Sequence, residues 1–145
     1  MQLLKILQVW AVFALCAVTC PGQEPSAAVV VNRNEAKWTH SPKDPTGAES
    51  TVLREDPASG GLELLVRYPS GHVFAPHWHE SNERIILLEG RISLRQGDTE
   101  KFLEAGGFAF LPSREVQRLA CVSKTGCTFY IAWDGKPTSH PAATR

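Results

Sequence analysis

The chain has 145 residues, 43% of them hydrophobic and 21% charged, which suits one globular domain with a real core. Fifteen lysines and arginines balance fifteen aspartates and glutamates, giving a formal net charge of zero. With no basic excess and no charge block, neither nucleic acid nor an anionic membrane surface is an expected partner.

The first 22 residues read apart from the rest. Met1 to Lys5 is a short, weakly positive start, and Ile6 to Val18 is apolar apart from Gln8. Cys20-Pro21-Gly22 then supplies small residues, so residues 1–22 are expected to be a secretory signal peptide, cleaved after Gly22 or near Ala27-Ala28. The apolar run is shorter than the ~20 residues a membrane span needs, so no stable membrane insertion of the mature chain is expected. Thr19 before Cys20 and Phe13-Ala14-Leu15 before Cys16 suit lipoprotein processing poorly. The expected location is therefore secreted or periplasmic.

Residues 23–47 read as an N-terminal arm and loop, with Trp38 a packing lid and His40 solvated. Strand-like runs then follow at short intervals: Ser50 to Arg54, Leu62 to Tyr68, the stretch after Gly71, Arg84 to Leu88 and Arg91 to Leu94. Thr99 to Leu103, Phe108 to Leu111, Gln117 to Val122 and Cys127 to Trp133 complete the set. Gly- and Pro-containing turns separate most of them, and no mature segment has a helical period. This predicts an all-β domain over residues 48–135, a sandwich or small barrel. Alternation predicts that Phe108, Phe110, Phe129, Ile131 and Trp133 pack in the core, and that Leu64, Val66, Ile85 and Leu87 line the interior. Residues 136–145, with Pro137 and Pro141, read as an unstructured tail or a surface strap. Cys121 and Cys127 flank Val-Ser-Lys-Thr-Gly and are expected to face each other across a hairpin, as a disulfide or as two buried thiols.

The chemistry concentrates between Gly71 and Gly90. One residue separates His77 from His79, and Glu83 follows four positions after the second histidine. On a strand, His77 and His79 project to one face and Trp78 to the other; Glu83 shares the histidines' parity across a bend at Ser81-Asn82. Glu80 has the opposite parity. Two imidazoles and one carboxylate on one face make a mixed N/O site for a divalent transition metal such as Fe, Mn, Ni or Zn. His72 reads as a solvated loop histidine or part of a site mouth, and Arg114 as a surface residue or anion contact.

Gly71, five residues, His77, one, His79, three, Glu83, six and Gly90 together resemble the first metal motif of the cupin family at every fixed position. The resemblance implies a jelly-roll (double-stranded β-helix) barrel, here a single domain. It also implies a second motif that supplies a fourth, histidine ligand. In the corresponding stretch Gly106 and Pro112 fall in place, but Arg114 stands for glycine, Gln117 for histidine and Cys121 for asparagine. Gln117 can still offer an amide oxygen, a weaker donor than imidazole. Three roles stay open for it: metal ligand, hydrogen-bond partner of a bound water or ligand, or member of a polar pocket that holds metal poorly.

Two function classes follow from the resemblance. One is a small-molecule metalloenzyme with dioxygenase-like or Lewis-acid chemistry. The other is a non-catalytic ligand-binding or sensing module whose metal is structural or vestigial. Cupins commonly pair through sheet surfaces, so a homodimer is expected, with Trp78, Ile86 and Leu88 as candidate contacts.

Overall fold

The computed structural model describes residues 27–40 and 46–143. The expected signal peptide lies outside the described residues. The chain is all-β, with a single short 3-10 turn at Arg33–Glu35 among the described residues. The strands are β1 (Thr39–His40), β2 (Glu49–Glu55), β3 (Leu62–Tyr68), β4 (Val73–His79), β5 (Glu83–Glu89) and β6 (Arg91–Gln96). They continue as β7 (Thr99–Glu104), β8 (Phe108–Leu111), β9 (Gln117–Cys121), β10 (Cys127–Trp133) and β11 (Ser139–Pro141).

These pair, always antiparallel, into two sheets with the orders β1-β2-β3-β10-β5-β8 and β11-β4-β9-β6-β7. From β3 onward the chain changes sheet at every connection except the β6–β7 hairpin at Gly97-Asp98. β3, β5, β6, β8, β9 and β10 thus lay an apolar side against the opposite layer. Val66, Ile85, Leu87, Ile92, Leu111, Leu119, Phe129 and Ile131 form the shared core. The expected barrel is not closed by hydrogen bonds. β1 and β8 end one sheet and β11 and β7 the other, so the architecture is a two-layer sandwich whose layers are joined by packing and crossovers.

Two expectations are corrected by the strand pairing. Phe108 and Phe110 are 59% and 48% exposed, not core, because β8 pairs with β5 so that Leu111 faces Glu83 and Ala109 faces Ile85. Those small and branched residues take the inner side, and the two phenylalanines share the outer side with Ile86. Trp78 lies in the other sheet from Ile86 and Leu88, so the three do not form one surface; Trp78 instead stacks on His140 of β11, with ring centroids 4.1 Å apart. Of the two readings of the segment after residue 135, the surface strap fits, since β11 pairs along β4.

Cys121 and Cys127 form a disulfide with their Cα atoms 5.8 Å apart. They do not sit across a hairpin. β9 and β10 belong to different sheets, so the bond ties the two layers together. Gly90 makes the sharp β5–β6 crossover beside it with φ 87°, and a Cβ there would collide with the Gly126 carbonyl and press on Cys127. His72, expected to be solvated, is buried at the same end against the Tyr68 ring.

Candidate metal centre

His77 and His79 come from β4, Glu83 from the first position of β5. The site therefore draws on both sheets. All three residues are buried, and one ligating atom from each lies within 4.8 Å of the others. The register of β4 against β9 shifts between Phe74 and His77, across Ala75-Pro76, where proline has no N–H to give the ladder. Beyond that shift His77 lies opposite Gln117 of β9.

The turn between His79 and Glu83 is pinned from outside. Asn82 donates its backbone N–H and its side-chain amide to the Asp134 carboxylate at 3.0 and 2.8 Å, while Asn82 Oδ1 accepts from Ser113 N–H at 3.0 Å. The Asn82 side-chain bond holds the Asp134 carboxyl below its ordinary pKa, with the Asn82 backbone and Arg84 acting the same way against burial. Arg114 N–H donates to His79 O at 2.7 Å. The Arg114 side chain is exposed.

Each imidazole has its tautomer set by a backbone carbonyl. His77 Nδ1 lies 2.8 Å from Ala75 O and His79 Nδ1 lies 2.9 Å from Thr138 O. A carbonyl oxygen only accepts, so each Nδ1 carries the hydrogen and each Nε2 of a neutral ring keeps its lone pair for an ion. His79 Nε2 lies 3.1 Å from Glu83 Oε2. Two buried acceptors at that distance repel unless a proton or a cation sits between them. Burial lowers the His77 pKa and so favours its neutral, metal-ready form; His79 acts in the same direction, against the Ala75 bond and Glu83. Burial also opposes charge on His79, but the hydrogen bond and charge of Glu83, with Thr138, outweigh it and raise that pKa.

Gln117, 2% exposed, donates Nε2–H to Glu83 Oε2 at 2.6 Å, and its Oε1 is buried with no hydrogen-bond partner. Two free Nε2 lone pairs, one carboxylate and an unsatisfied amide oxygen fit a divalent transition ion. Glu80 points away, 3.4 Å from His140 Nε2. A cavity of about 190 Å³ opens onto the cluster, bounded by His77, His79 and Glu83 and by apolar side chains of both sheets. The supporting roles of Asn82 and Thr138 have no signal in the local sequence, because their partners lie 52 and 59 residues away.

This sandwich and this buried cluster define a cupin. The sequence profile of the ChrR cupin-like domain matches residues 26–134, and the chain belongs to that family. The fold is similar to that of KdgF from Halomonas sp., with TM-score 0.62, 16% identity and coverage of 75% of this chain and 94% of that one. It is also similar to the polyketide cyclase RemF from Streptomyces resistomycificus (TM-score 0.66, 20% identity, 82% and 88% covered). An RmlC-like cupin from Shewanella frigidimarina gives TM-score 0.63 at 15% identity, with 77% and 93% covered. No curated protein matches the sequence.

Proposed function

We propose that this is an exported cupin that holds one divalent transition ion through His77, His79 and Glu83, with Gln117 completing the set, and presents it to a small organic molecule. The observation that carries the reading is that three donors from two different sheets converge, buried, at a cavity large enough for more than water. An ion bound there supplies Lewis acidity and coordination positions open to a ligand. The chain's own residues fix the imidazole tautomers, hold Glu83 through Gln117 and exclude bulk water with apolar walls. Open access from the cavity favours a small-molecule metalloenzyme over a purely structural ion; a polyketide cyclase stands among the proteins of this fold. The alternative is a ligand-binding or sensing module using the same cavity without turnover.

The Cys121–Cys127 disulfide supports export, since such bonds persist in oxidising compartments. A homodimer belongs to the same proposal. Its contact is the outer stripe Ile86, Leu88, Phe108 and Phe110, which two copies of nearly balanced charge can bring together with little net repulsion.

Elemental analysis of the purified protein tests the centre. The expected result is about one transition ion per chain, lost in both His77→Ala and Glu83→Ala. Equal metal content in the parent and both variants would overturn the assignment.

A further inference from the structure

The charge pattern of the cavity restricts what it can hold. Its walls include Val66, Phe74, Leu119, Phe129, Ile131 and Trp133, and its floor is the histidine–glutamate cluster. The other polar residues that line it are Glu49, Ser50 and Tyr68, and among the described residues no lysine or arginine does. Glu49 is already engaged, 3.1 Å from Arg67 and 3.5 Å from His40. Arg67 in turn lies under the Trp38 ring at 3.6 Å.

This step rests on the metal-centre reading above. A divalent ion against the single carboxylate of Glu83 leaves one net positive charge at the floor. One negative headgroup cancels it. A second would lie against apolar walls or beside Glu49, where the described cation, Arg67, is already paired with that carboxylate, and buried unmatched charge is strongly disfavoured. A polyol fares no better, because most of its hydroxyls would lose water without gaining partners. At about 190 Å³ the cavity is also below the ~300 Å³ at which pockets for drug-sized ligands begin.

We infer that the cavity selects a compact monoanion. It would have one carboxylate- or enolate-type oxygen headgroup facing His77, His79 and Glu83, and an apolar body of single-ring size among Phe74, Leu119 and Phe129.

Cobalt(II) makes this measurable without an assay of turnover, because its visible absorption responds to ligands at the ion. The full chain is loaded with cobalt and titrated separately with benzoate, succinate and glycerol. Benzoate is expected to shift the absorption saturably, with an affinity about tenfold or more above those of succinate and glycerol. Ser50→Phe, which narrows the cavity from β2, is expected to weaken benzoate about tenfold with cobalt content unchanged. Leu119→Phe is a second narrowing from the opposite sheet and serves if the first variant does not fold. Succinate or glycerol matching benzoate, benzoate silent on cobalt-loaded protein, or benzoate affinity unmoved by a folded narrowing variant would each overturn the inference alone. Failure of the parent protein to take up cobalt would overturn the metal-centre reading and this inference with it.

Discussion

Arg114 sits at φ 64°, in the left-handed region, at the position where the cupin motif carries glycine. The backbone there has kept the shape that glycine would take without strain, because its N–H must reach the His79 carbonyl. A side chain in that region costs about 1–2 kcal/mol, and glycine gives part of that back as unfolded-chain entropy. Arg114→Gly is therefore expected to stabilise the protein by about 0.5–1 kcal/mol, seen as a higher denaturant midpoint with an unchanged slope. A lower midpoint would mean that the arginine side chain contributes something its exposure does not suggest. The two histidines set the pH response. Metal needs both Nε2 lone pairs, and Glu83 keeps a proton on His79 to higher pH than an ordinary imidazole while burial keeps His77 neutral to lower pH. Affinity should thus begin to fall above about pH 6.5 as the solution is acidified, with His79 protonating first. Chelator competition at stepped pH reads this out, and an affinity flat down to about pH 5 would contradict it. The trio was legible as a motif spacing, but strand parity accounts only for the two histidines of β4; Glu83 meets them from the opposite sheet, because the chain changes layer between β4 and β5. Gln117 was legible only as a departure from a motif. Its bond to Glu83 depends on the β4–β9 register, which no local pattern encodes.

Most strands could be read because turns bound them; β3, β8 and β10 have the limits expected from their runs. What could not be read was which side of a four-residue strand faces in. Phe108-Ala109-Phe110-Leu111 alternates equally well in either sense, and hydrophobicity alone favours burying the phenylalanines. Pairing with β5 decides otherwise, since Glu83 and Ile85 fix the inner side. β11 was missed for a related reason. Ser-His-Pro has no strand character of its own and is held by β4 and by the Trp78–His140 stack. Its approach brings the Thr138 carbonyl to His79 Nδ1. Removing residues 138–145 is expected to leave the sandwich folded but to weaken metal binding about 10–100-fold, the usual effect of losing a group that orients a ligand. Circular dichroism together with chelator competition checks both halves. Undiminished affinity in a folded truncation would deny β11 that role.

At the scale of the molecule, the outer side of the six-stranded sheet is covered in part by the N-terminal segment. Arg33 pairs with Glu89 at the end of β5 and Trp38 covers Arg67, while Phe108 and Phe110 of β8 are exposed among the described residues. A sheet edge with two exposed phenylalanines favours association. The double variant Phe108→Glu, Phe110→Glu is expected to convert a dimer to a monomer in sedimentation velocity, since two like charges would face each other across a self-complementary contact. An unchanged mass for a dimeric parent would place the interface elsewhere. The double-layer class was legible from strand number and turn spacing. Its openness was not, because closure depends on whether edge strands meet, and that is fixed only when all eleven are placed.

His77 and His79 belong to one sheet and Glu83 to the other, as Cys121 and Cys127 do at the far end of β9 from Gln117. An ion in the proposed centre would act with the disulfide like clasps on opposite edges of a closed book. A chelator opens one edge and a thiol reagent the other, and either alone leaves the covers hinged. The crossovers and the shared core still join the layers when both are lost, so the two ties would loosen the sandwich separately, one with metal supply and the other with redox state.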